Sequence, residues 1–175
     1  MTRQQICPKH HQSEILINKT TFDATTLAVT TAALIGSIAS PNLTPGWFAH
    51  IRKPAYQPPN AVFPVVWTTL YGDIATTSAE VIDRFRASAQ HDKARGYIGA
   101  LGVNLVLNAG WSWLFFRCHK LGASALGALV LTASSADLAR RAADADSRVG
   151  AALTPYPLWC AFATVLSTHI WRLNR

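Results

Sequence analysis

Asn104, Asn108, Trp111 and Phe115 recur at steps of four, three and four residues. On an α-helix that spacing puts two amides and two aromatic rings on one stripe. Tyr156, Trp159, Ala163 and Ser167 form a second such stripe, and Phe63, Trp67, Leu70 and Ile74 a third. Flat aromatic walls with a few hydrogen-bonding groups suit a large, planar, apolar ligand. The chemistry on offer is binding. No general base, nucleophile elbow or metal triad accompanies the stripes. The competing interpretation is ordinary packing, or anchoring at a membrane interface. Anchoring fits Trp47, Trp113 and Trp171 better, and Trp67 divides evenly between core and pocket.

Other reactive residue types are sparse. Cys7, Cys118 and Cys160 are far apart and form no CxxC pair, which argues against a disulfide framework or structural zinc. Cys7 with His10 and His11 lacks a fourth ligand and reads as part of a tail. Asp73 and Glu80 lie seven residues apart on one helix face. Glu80 has Arg84 four residues on and reads as an ion pair near a helix end. Asp73 has no evident partner and stays open between site and structure. Asp137, followed by Arg140 and Arg141, reads as a surface ion pair.

These stripes need helices in lipid to carry them. Charged residues are 14% of the 175, against roughly 25% in soluble chains. Residues 24–51, 54–72, 96–116, 121–136 and 149–171 contain no Asp, Glu, Lys or Arg. A hydrocarbon core of ~30 Å takes about 20 apolar helical residues, so the expected fold is an all-α, integral, multi-pass bundle of five transmembrane helices. Prolines and glycine at 41, 45 and 46 end the first helix near Ser40. The second helix is expected to run on to about Ile82. Residues 1–22 read as a disordered extension and 23–174 as the membrane domain. The net charge of +7 comes from short clusters between the uncharged stretches, not from one basic face, which argues against nucleic acid. Lys and Arg number ten on the side of the N-terminal tail and six on the other, a weak bias toward a cytoplasmic tail.

Four motifs then occur in order. Trp47-Phe48-x-x-Ile51-x-Lys53-Pro54-x-Tyr56-x-Pro58-Pro59 runs into Phe63-Pro64-x-Val66-Trp67-Thr68-x-Leu70-Tyr71. The third stretch ends Leu107-Asn108-x-x-Trp111-Ser112-x-Leu114-Phe115-Phe116. The fifth carries Pro155-Tyr156-x-x-Trp159-x-x-Phe162-Ala163-Thr164 and closes Trp171-Arg172-x-Asn174. Together they resemble the tryptophan-rich sensory protein/translocator protein (TspO/MBR) family from about Phe22 to Asn174.

The resemblance implies a five-helix bundle, usually dimeric, with a pocket lidded by the first loop. It implies tetrapyrroles such as protoporphyrin IX and haem as ligands, with hydrophobic drugs and, in some members, cholesterol. No obligatory cofactor or metal is implied. The candidate ligand-binding set is Trp47, Lys53, Tyr56, Phe63, Trp67, Asn104, Asn108, Trp111, Phe115, Trp159, Phe162, Ala163 and Ser167. Lys53 and Arg52 would meet porphyrin propionates or lipid phosphates. The chain departs from the family pattern at Tyr56, often Trp, at Ser167, often Asn, and at Ala123 and Gly127, which are Trp and Asp in animal members. No Tyr completes a cholesterol-recognition pattern at the C-terminus.

The expected function is a membrane sensor or translocator for tetrapyrroles or other lipophiles. The alternatives are a slow light- and oxygen-dependent porphyrin-degrading enzyme and a dimeric scaffold. Gly96, Gly99, Ala100 and Gly102 would allow close helix approach in a homodimer. The host would be the cell membrane in a bacterium and an organellar membrane in a eukaryote.

Overall fold

The computed structural model describes residues 17–39 and 46–175. Cys7, His10, His11 and most of the 1–22 extension lie outside the described residues. Lys19 to Phe22 are already helical, because the Asn18 side chain caps α1 by accepting from the Thr20 N–H at 2.9 Å.

The order is α1 (Lys19–Ile38), α2 (Trp47–His50), α3 (Val62–Ala87), α4 (His91–Ser112), a π-helical turn (Trp113–Arg117), α5 (Leu121–Ala145), α6 (Ser147–Leu153) and α7 (Pro155–Leu173). α1 stops at Ile38, close to the expected break, and α3 runs one turn past Ile82. Pro155 sits at the first position of α7, where a missing N–H costs no hydrogen bond. The fifth uncharged stretch is therefore a short helix and a long one joined at Thr154.

Four of the long helices are apolar enough to cross a membrane: Lys19–Ile38, His91–Arg117, Leu121–Ala145 and Ser147–Leu173. α3 has the length, 26 residues, but Asp73, Glu80, Asp83, Arg84 and Arg86 lie within it. The expectation of five spans thus meets four helices that qualify by length and composition and one that qualifies by length. Leu27, Leu34, Val103, Val106, Leu126, Leu158 and Val165 point outward, as side chains facing lipid do.

The helices alternate in direction, so the bundle has two ends. At the far end, Asp83 accepts from the Asn18 N–H at 2.7 Å and the Thr21 hydroxyl at 2.8 Å, which pins α1 to α3. Arg84 bonds Glu80 at 2.6 Å and Asp146 at 3.0 Å. Arg140 and Arg141 both hold Asp137, at 2.7 and 2.5 Å. The Glu80 and Asp137 ion pairs are thus those expected from spacing. At the other end, residues 46–61 of the first loop pack against the π turn and α7. A large apolar core spans the far end and the middle around Ile74, Tyr97, Leu138 and Tyr156. A smaller aromatic core lies beside that loop around Phe115, Leu166 and Ile170.

Candidate ligand cavity

A cavity of about 280 Å³ opens beside the first loop, whose Phe48 and Asn60 line it. The start of α3 contributes Phe63, Pro64, Trp67 and Tyr71, and α7 contributes Trp159, Ala163, Leu166, Ser167 and Ile170. Trp111, Ser112, Phe115 and Phe116 close it from α4 and the π turn, Gly36 and Ser37 from α1, and Phe48 from α2.

The walls are aromatic pairs in favourable geometry. Trp111 stacks on Phe115 with centroids 5.6 Å apart and 24° between planes. Phe63 meets Trp159 edge-on at 5.9 Å, and Trp67 lies 5.5 Å from Tyr71. Phe115 and Phe116 are adjacent in sequence, so α-helical winding would separate them by about 100°. The π turn is wider, and both rings meet Phe48 edge-on, at 5.9 and 5.8 Å.

Polar groups divide into two sets. Asn104 and Asn108, 0% and 3% exposed, are not on the cavity surface. They form a relay behind the wall. Tyr71 donates to the Asn108 carbonyl oxygen at 2.8 Å, and the Asn108 amide donates to the Tyr156 hydroxyl at 3.2 Å. Tyr156 donates to the Asn104 carbonyl oxygen at 2.7 Å, and the Asn104 amide donates to Ser134 at 3.0 Å. Only Tyr71 of this relay also reaches the cavity. The second set is the indole N–H groups of Trp111 and Trp159. Both are buried and have no hydrogen-bond partner. These nitrogens have no surface facing the cavity, and the Trp111 Cδ1 edge turns toward Gly127 on α5, so the two rings line the cavity without offering it their N–H groups.

Of the expected site residues, Phe63, Trp67, Trp111, Phe115, Trp159, Ala163 and Ser167 line the cavity together. The rest support it. Trp47 packs edge-on against Phe115 at 6.1 Å and lies over His119 at 4.1 Å. Lys53 Nζ sits 4.2 Å from the centre of the Phe48 ring, one ring away from the cavity. The Tyr56 hydroxyl hydrogen-bonds His169 Nδ1 at 2.8 Å. Phe162 packs between Tyr56 and Trp159, at 6.4 and 5.3 Å. Asn174 clasps the first loop, accepting from the Arg52 N–H at 2.9 Å and donating to the Arg52 carbonyl at 2.8 Å.

Tyr71, Phe48, Phe116 and the α1 residues Gly36 and Ser37 were not among the expected site residues. Tyr71 stands four residues after Trp67, so the stripe could have been extended to it. Phe116 was hidden by the π turn, and α1 has no aromatic to mark its inward face. Gly36 fits closely there, since a Cβ would lie 3.3 Å from Ser112 Oγ and the serine would have to yield slightly.

Comparison with known proteins settles the lineage. Residues 24–172 match the TspO/MBR family. The chain belongs to this family. It is similar to protein CrtK of Rhodobacter capsulatus, 29% identical over 155 residues that cover 89% of this chain and 93% of that one. It is similar to the translocator protein of Sus scrofa, 32% identical over 74% of this chain and 75% of that protein. The tryptophan-rich sensory protein of Cereibacter sphaeroides is 25% identical over 81% of this chain and 84% of its own length. This TspO/MBR chain is an integral membrane protein, with names of the sensor and translocator type among its relatives.

Proposed function

We propose that this TspO/MBR protein binds a tetrapyrrole, protoporphyrin IX or haem, or a comparable planar lipophile in the cavity under the first loop, and serves as its sensor or translocator. The observation that carries this reading is the aromatic wall itself, with Phe63, Trp67, Trp111, Phe115 and Trp159 on one cavity; the first loop would be its lid, and that end of the bundle the lid end. Aromatic faces favour a flat ligand. The volume is at the lower edge of the roughly 300–1,000 Å³ common for ligand sites. A macrocycle would therefore insert one edge and leave the other in the open mouth, near Lys53.

The reading includes five crossings. α3 rises about 39 Å over its length, enough for a ~30 Å core, and its charged residues other than Asp73 and Glu80 fall in its last turns. It includes a homodimer as well, supported by Gly99 and Gly102, where an added Cβ would meet nothing within 4 Å. Titration of the detergent-solubilised protein with protoporphyrin IX tests the function. Saturable quenching of Trp fluorescence at micromolar ligand is expected. Quenching that rises linearly, as for free tryptophan, would contradict it.

A further inference from the structure

The ends of the bundle differ in how charge is arranged. At the far end, Arg84, Arg86, Arg95, Arg140 and Arg141 all stand in ion pairs with Asp or Glu. The lid end carries Arg52, Lys53, Arg117, Lys120, Arg172 and Arg175, and among the described residues no Asp or Glu lies there. That these six share one end follows from contacts already given or closely related. Asn174 clasps Arg52, Trp47 covers His119 beside Lys120, and Trp171 approaches Gly122. All but Lys53 are exposed.

We propose that the lid end is a docking face for anionic phospholipid headgroups. Charge complementarity is the first argument, since unpaired cations near a membrane surface attract acidic lipid. The level at which they stand is the second. Trp113 and Trp171 are 38% and 37% exposed at the same end, and indoles collect at the headgroup boundary. Level with Trp113, whose indole donates to the Ile35 carbonyl at 3.0 Å, and inward from it, Leu34 and Ile35 on α1 and Leu126, Leu129 and Val130 on α5 face outward. A phospholipid would find apolar surface for its chains and cations for its phosphate on one continuous face. An acidic soluble protein would meet the cations without using the apolar band beneath them.

The face includes the lid, because Arg52 and Lys53 belong to it. Headgroup binding there would hold the lid against α7 whatever lipophile the cavity takes. The inference rests on the chain's being embedded in a membrane and does not depend on the tetrapyrrole reading.

The test uses the full chain in bilayers that mix phosphatidylcholine with phosphatidylglycerol, with bromine on the acyl chains of one lipid at a time. Bromine quenches nearby Trp fluorescence, so the two series give the relative occupancy of each lipid around the protein. Phosphatidylglycerol is expected to be preferred severalfold at low salt, with the preference shrinking as salt screens the charges. The variant Arg117→Gln, Lys120→Gln, Arg172→Gln, Arg175→Gln is expected to lose it, and Arg95→Gln at the far end to keep it. The pair variant Arg172→Gln, Arg175→Gln should reduce the preference part-way, which gives a readout even if the fourfold variant does not fold. Equal quenching by both lipids in the parent, or an undiminished preference in the variants at Arg117, Lys120, Arg172 and Arg175, would overturn the proposal.

Discussion

At the scale of single residues, Asn104 and Asn108 show how a pattern can be seen and its use misjudged. Their spacing announces an inward polar stripe, and they do face inward. Whether the stripe meets a cavity or other side chains depends on α3 and α7, and Tyr71 and Tyr156 claim the amides first. The relay makes a stability prediction. Asn108→Leu should leave Tyr71 without its acceptor and cost about 1–3 kcal/mol, read as a lower unfolding temperature in detergent. Affinity for the ligand should change less than on truncation of Trp111 and Trp159, which line the cavity. Asp146 makes a pH prediction outside the spans. Its carboxyl is held below its usual value, first by the Arg148 N–H and also by the Arg84 guanidinium. A lowered folded pKa gives stability that is present above the ordinary carboxylate range, about pH 4, and is lost as pH falls through the folded value. Asp146→Asn should flatten that acid decline in a series of thermal melts. A decline of unchanged steepness would assign it to other carboxylates.

At the scale of elements, the absence of charge made four of the long helices legible, and turn chemistry made their ends so. Pro155 marks the start of α7 as a proline at a first helical position should. The π turn was not legible. Nothing in Trp113-Leu114-Phe115-Phe116-Arg117 departs from helix-compatible composition, and the wider winding is a response to packing Phe115 and Phe116 against Phe48. The helical hairpin of α5 and α6 hides another requirement. At Gly150 a Cβ would stand 2.5 Å from the Ala143 Cβ and 2.6 Å from its backbone. Gly150→Ala should therefore force the hairpin apart at a cost of about 1–3 kcal/mol, measured by unfolding. A melt like the parent's would show that α6 shifts freely.

At the scale of the whole molecule, the first loop, the cavity and a set of cations with no acid beside them occupy one end, and acids and cations share the other. The distribution of charge along the sequence showed where the loops are. It showed the ion pairs within a helix turn and did not show that Arg84 also reaches Asp146, which lies on a different element. The clasp of Asn174 on Arg52 is likewise beyond sequence periodicity, since it joins positions 122 apart. Asn174→Ala should free the lid and speed both entry and release of ligand in stopped-flow mixing, with a smaller change in equilibrium affinity. Unaltered rates would mean that the lid does not gate the cavity.

The central claim is that the cavity's aromatic wall holds a planar ligand, and replacing Trp111 and Trp159 with alanine tests it most directly. Alanine removes two rings from the wall. In a Soret-band titration with protoporphyrin IX, the parent should bind saturably. The Trp111→Ala, Trp159→Ala variant should bind roughly tenfold or more weakly, at about 0.5–1.5 kcal/mol for each lost aromatic contact. Equal affinity in a folded variant would contradict the assignment of the site.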